Sequence, residues 1–116
     1  MSKQIKTKKI TLSQKSGKFA VIFHKTRGIK KNSGILTLRR LLTNEKARLL
    51  HIIKTKNPDS IYALAKLLGR DFKAVRQDIR LLEQFGVIEL ISAYKKGREH
   101  LKPIVDVSQL NILINL

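Results

Sequence analysis

"GRDFKAVRQDIRLLEQFGVIEL", residues 69–90, carries eight charged side chains and a regular row of large apolar ones. At about 100° per residue on a helical wheel, the two classes separate. With Phe72 at zero, Ile79, Val75 and Leu82 fall from about 340° down to about 280°, and Phe85, Ala74 and Leu81 from about 220° to about 180°. The arc from about 40° to about 140° holds only Arg76, Arg80, Lys73, Gln84 and Gln77, with Glu83 at its border. Asp71 stands where an N-cap is needed. Gly86 can end the helix in the left-handed conformation, with Val87 meeting Leu82 as in a Schellman motif. Asp78, near 240°, lies inside the apolar arc. An unpaired buried carboxylate is costly, so its role is structural: pairing with a neighbouring cation or capping a backbone donor.

Working outward, the preceding segment repeats the helix grammar. Ser60 caps a helix whose inner face is Ile61, Leu64, Ala65 and Leu68, with Gly69 as its stop. Only Gly69-Arg70 then separates it from Asp71. Further upstream, Thr43 is the N-cap of a helix with Glu45 in its first turn, where the helix dipole favours an anion. Ala47, Leu49, Leu50, Ile52 and Ile53 give that helix a broad apolar stripe, and "KTKNPD" ends it. Leu36, Leu38, Leu41 and Leu42 predict a short leading helix. Downstream, residues 87–94 are β-prone. Residues 95–99 read as a turn with Lys95, Lys96 and Arg98 around Gly97, and residues 101–107 return as a second strand. Pro103 cannot donate to a ladder, which suits an edge. The tail "QLNILINL" is apolar and should not be left in water.

Charge is unevenly spread. Of 25 Lys and Arg residues, twelve lie in residues 1–40, which contain no acid; all eight acids follow. With a net charge of +17 and a pI near 10.7, the leading inference is a polyanionic partner. Composition therefore divides the chain into a basic segment, residues 1–34, and a domain, residues 35–116. Within the segment, Ile10-Thr11-Leu12 and the apolar run at residues 19–23 flank Lys15-Ser16-Gly17-Lys18 in the pattern of a β-hairpin. "TRGIKKNSG" after it reads as loop.

Some chemistries are disfavoured. There is no cysteine, so disulfides and thiolate metal sites are excluded. The longest apolar run is five residues, far short of a membrane span, and no apolar secretion core opens the chain. The expected location is therefore cytoplasmic and nucleoid-associated. His24, His51 and His100 are scattered, Asp59 and Ser60 complete no triad, and no glycine loop cradles phosphate. No cofactor, metal or enzymatic role is expected.

Two short helices joined through Gly69-Arg70, followed by a hairpin with a basic tip, stand in the order of a winged helix-turn-helix. "ARLLHIIKTKNPDSIYALAKLLGRDFKAVRQDIRLLEQFGVIEL", above all "PDSIYALAKLLGRDFKAV" and "DIRLLEQFGVIEL", resembles the MarR-like winged helix-turn-helix transcriptional regulators of bacteria and archaea. Within these it is similar to a DNA-binding group often encoded beside toxin genes. The resemblance spans roughly residues 36–107. It implies an α+β fold, a helical core with a C-terminal β-hairpin wing. Residues 1–34 fall outside the resemblance and read, from their own pattern, as an N-terminal hairpin or arm. The function expected is a sequence-specific regulator of double-stranded DNA, a homodimer, and an antitoxin-type autorepressor with a toxin partner.

Long donors suit that role, because phosphates and guanine edges both select Arg and Lys. Lys73, Arg76, Gln77 and Arg80 are the expected major-groove residues, with Gln77 for adenine and Arg76 or Arg80 for guanine. Lys95, Lys96 and Arg98 form the expected wing contact, and Ser60, Tyr62 and Arg70 the expected backbone contacts. The apolar segments at residues 36–42 and 110–116 either make a dimer contact or complete one protomer's core. Two other readings fit the charge: an RNA-binding winged-helix module, or a protein-interaction module with an acidic partner.

Overall fold

Thr43, Ser60 and Asp71 each begin a helix, as their short oxygen-bearing side chains predict. The computed structural model describes residues 6–22 and 34–116. Helix α2 (Asn44–Lys56) is capped by Thr43, which accepts a hydrogen bond from the Lys46 amide. Helix α3 (Ile61–Leu68) is capped by Ser60 through the Ala63 amide, and α4 (Phe72–Gln84) by Asp71 through those of Lys73 and Ala74. Helix α2 stops at Asn57, in the left-handed conformation. Helix α3 stops at Gly69, whose φ is 64°. At the end of α4, Gly86 has a φ of 74°. Its N–H donates to Glu83, and that of Val87 to Leu82, both at 2.9 Å. Those are the two bonds of a Schellman motif, and a β-branched residue at Gly86 would be strained there.

The apolar stripes predicted for α3 and α4 point inward. Ile61, Leu64, Ala65 and Leu68 are buried, as are Val75, Ile79, Leu82 and Phe85. Each large aliphatic or aromatic side chain fully buried in this way contributes about 1.5–3 kcal/mol. The outer helix departs from its expected stripe. In α2 the buried residues are Lys46, Leu49 and Ile53, while Ala47 is exposed. A lysine therefore occupies a position that the stripe does not predict.

Strands β3 (Ile88–Lys95) and β4 (Arg98–Val105) form an antiparallel hairpin. The sequence places a turn over residues 95–99, but the strands run farther, and Lys95 pairs directly with Arg98. The reason is the turn itself. Lys96 and Gly97 both have positive φ, 54° and 75°, a two-residue turn whose twist matches the strands it joins. Pro103 lies opposite Leu90, buried, in a two-stranded sheet where either strand is an edge.

The N-terminal hairpin is present. Strand β1 (Thr7–Lys15) pairs antiparallel with β2 (Lys18–Ile22) around Ser16-Gly17, again two residues of positive φ. Gln14 Oε1 accepts the Gly17 amide at 3.1 Å. Helix α1 (Gly34–Leu41) follows, with Leu41 buried. The apolar tail forms β5 (Gln109–Asn115), parallel to β1 on the side away from β2. Along β1, Ile10 and Leu12 are buried on one face, and Thr11 and Ser13 lie on the other. Phe23, His24 and residues 26–33 of the expected loop lie outside the described residues.

The fold is α+β, with four helices and two small sheets among the described residues. Its compact units are not those of composition. Strands β1, β2 and β5 with α1 form one, and residues 43–106 form the other. The compositional boundary at residue 34/35 follows charge, whereas the units follow contact. Helix α1 and the tail thus group with the N-terminal strands rather than with the helices that separate them. Among the described residues, no helix is long and apolar enough to cross a membrane.

Candidate functional site

Because α4 turns its apolar stripe inward, Lys73, Arg76, Gln77 and Arg80 are all exposed on its outer side. Their spacing puts Arg76 one turn from Arg80 and Lys73 one turn from Gln77. Like charges one turn apart repel by a few tenths of a kcal/mol, so this patch does not stabilise the helix. Among the described residues, none of these four side chains has a hydrogen-bond or ion-pair partner. The four residues that the helical wheel groups on one arc are thus exposed together.

The flank of α4 behaves differently. Asp78, whose side chain is only 16% exposed, accepts a 2.8 Å hydrogen bond from Arg70 Nη1. Its other oxygen lies 3.4 Å from Lys46 Nζ. Arg70 Nη2 is in turn 3.4 Å from Glu45 Oε2. One carboxylate thus joins α2, the α3–α4 turn and α4, the structural role predicted for Asp78. The hydrogen bond to Asp78 raises the Arg70 pKa from its ordinary value, against a lowering by burial and with help from the charges of Asp78 and Glu45. A raised cation pKa gives stability that is complete below the unfolded value and is lost only as pH climbs through the folded one. For an arginine that window lies above working buffers, so this contribution is constant across them.

The expected backbone contacts are therefore unequal. Arg70 is a strut between carboxylates rather than a free cation. Ser60 Oγ accepts the Ala63 amide at 3.0 Å, which still leaves its O–H to donate. Tyr62 is exposed, with its ring 6.4 Å from that of Phe72 and tilted to it. Lys66 Nζ sits 4.8 Å from the Tyr62 ring centroid, a cation–π contact that joins this surface. Lys66 was missed by sequence reasoning; the available signal was a cation one turn beyond an exposed aromatic. Lys46 was missed as well, because its partner lies on another helix.

On the hairpin, Lys96 and Arg98 are exposed and have no side-chain partner among the described residues. Lys95 Nζ reaches Asp59 Oδ2 at 3.4 Å, with both groups well exposed. Nearby, Tyr94 donates its hydroxyl to Glu99 Oε2 at 3.4 Å. His51 and His100 take no part in any group of three metal-ligating side chains among the described residues.

The sequence profile of the HVO_A0114 family matches residues 41–112, more than half of the chain. The chain belongs to the HVO_A0114 family. The region shared with the HVO_A0114 family includes the open face of α4, the Asp78 junction and the whole hairpin, and it reaches into β5. Strands β1 and β2 lie outside it. No curated protein matches the sequence.

Proposed function

We propose that the protein is a sequence-specific double-stranded DNA-binding regulator of the winged helix-turn-helix class, working as a homodimer. In this reading α3 and α4 are the helix-turn-helix, α4 enters the major groove, and β3–β4 is the wing. One observation carries the reading. In residues 43–106, Lys46 and Arg70 are tied to Asp78 and Lys95 to the exposed Asp59, whereas Lys73, Arg76 and Arg80 on the outer face of α4, and Lys96 and Arg98 on the hairpin, are exposed with no side-chain partner among the described residues. A helix packed through its apolar stripe, with Asp78 tied to two cations and long donors on its outer side, suits base-edge contact. Tyr62, Lys66 and the Ser60 hydroxyl suit the flanking backbone. The autorepressor role and a toxin partner rest on the resemblance alone.

A duplex or structured RNA remains the competing ligand, supported by the twelve cations and no acids of residues 1–40. Competition for labelled duplex DNA by RNA and by heparin separates these readings from an acidic protein partner. Within the DNA reading, Arg76→Ala and Gln77→Ala should narrow the gap between operator and scrambled duplex by about 1–3 kcal/mol each. Lys96→Ala should weaken both duplexes together. If the helix variants weaken both duplexes alike, α4 is a backbone clamp and not a reader.

A further inference from the structure

We propose that β5 pairs antiparallel with β5 of a second copy, in a register centred on Leu113, joining two three-stranded sheets into one of six strands. The inference lies within a single compact unit and does not depend on nucleic-acid binding.

Strand β5 is an edge: β1 occupies one side, and among the described residues no strand occupies the other. Soluble proteins blunt such edges with charge, proline or short length. The other edges here follow that rule, with Lys18 on β2, Lys95 on β3, and Lys102 and Pro103 on β4. Strand β5 does not. It runs seven residues with no charge and no proline, and it keeps Ile112 38%, Leu113 42% and Ile114 48% exposed, with Leu116 beyond it at 94%. On a chain of net charge +17 it is also a strip along which two copies can approach without repulsion between side chains.

The sequence of this edge fixes the partner and the register. Residues 110–116 read Leu-Asn-Ile-Leu-Ile-Asn-Leu, the same in both directions about Leu113. A two-fold axis between antiparallel strands sets each residue opposite its mirror position. Leu113 then faces its own copy, Ile112 faces Ile114, Asn111 faces Asn115 and Leu110 faces Leu116. Ile112 and Ile114 pair with Ile10 and Leu12 of β1, so the aliphatic pairs prolong one apolar face. The two Asn pairs lie on the opposite face, where Asn115 Nδ2 already donates to Ser13 Oγ at 3.3 Å. Moving the axis by one residue, to Ile112, would set Asn111 against Leu113 and leave the amide without its counterpart. The palindrome therefore selects one register as well as a like partner.

Leu113 lies on the polar face beside Thr11, so Leu113→Lys and Leu113→Glu should fold. Sedimentation of the full chain without nucleic acid should show a dimer for the parent and monomers for either variant, since each sets like charges face to face. An equimolar mixture of the two should recover the dimer, because only a self-facing position permits that rescue. Should either variant unfold, spin labels on single cysteines introduced into the cysteine-free chain settle the register. Labels at positions 111 and 115 should each sit about 13 Å from their copies along the strand, and at 109 about 27 Å. A parent chain that stays monomeric at its highest soluble concentration overturns the proposal. So do charge variants that remain dimeric, a mixture of folded variants that stays monomeric, or label distances that do not rise away from Leu113.

Discussion

In residues 43–106 each helix is closed by groups within a few residues of its own end: Thr43 with the Lys46 amide, Asp71 with the Ala74 amide, Val87 with the Leu82 carbonyl. The sheet around β1 is closed by chain from far away, and Ser13 meets Asn115 across 102 residues. The first unit rests on local capping and an amphipathic core of three helices. The second must gather strands from both ends of the described chain before its ladder exists, so loop closure opposes it first. Charge sharpens the contrast. The helical unit mixes thirteen cations with eight acids and uses some of them as struts, whereas residues 1–40 and 107–116 hold twelve cations and no acidic side chain.

The largest expected effect tests whether that contrast is real. Removing residues 107–116 takes from β1 a ladder of seven residue pairs and leaves it only the five shared with β2. A lone two-stranded hairpin is marginal in water. Amide exchange in β1 and β2 should then approach that of free peptide, while the inner amides of α3 and α4 keep their protection. If protection in α3 and α4 collapses equally, the two units are one cooperative body and the contrast fails.

The same difference decides what was legible in the sequence. Ser60, Thr43, Asp71, Gly69 and Gly86 announced their helix ends because caps and left-handed stops are local chemistry. Lys15-Ser16-Gly17-Lys18 announced its hairpin for the same reason, and α4 its open face. The tail "QLNILINL" showed only that it needed cover. Nothing within it names β1, or a parallel pairing, as the cover. Asp78 advertised a structural partner by sitting in an apolar arc, but which cation would reach it depended on how α2 packs. Lys46 and Arg70 were therefore not assigned to it, and Arg70 was expected at the DNA backbone instead. The basic composition of residues 1–34 drew a boundary that contact does not respect, because like charge is a property of composition and a compact unit is one of packing.

The second effect is intermediate in size and sharpens the helical side of the comparison. Asp78→Ala leaves Lys46 buried and Arg70 facing Glu45 alone. Removing one partner of a buried pair is more damaging than replacing the pair. Arg70 keeps 23% of its side chain exposed, so water softens the loss, and about 1–3 kcal/mol is expected by chemical denaturation. Lys46→Met combined with Asp78→Leu should recover most of it, because an apolar pair replaces the buried charges. If the double variant is no better than Asp78→Ala, the junction works through Arg70 and not through Lys46.

The smallest effect separates a strut from a surface pair within the same unit. Lys95 and Asp59 also stand 3.4 Å apart, but both side chains are about two-thirds exposed. Exposed pairs are screened by water and salt and contribute about 0.2–1 kcal/mol at most. Asp59→Ala should therefore change the denaturation midpoint very little, well below the effect of Asp78→Ala. Its signature lies elsewhere. Removing Asp59 frees Lys95 beside Lys96 and Arg98, so under the duplex-binding reading one more phosphate can be neutralised. The slope of log affinity against log salt should steepen by about 0.9. A steeper slope with unchanged stability marks Lys95 as part of the wing. Lost stability with an unchanged slope would make the Lys95–Asp59 pair a second strut, and the division of cations into tied and free would then stop at the helices.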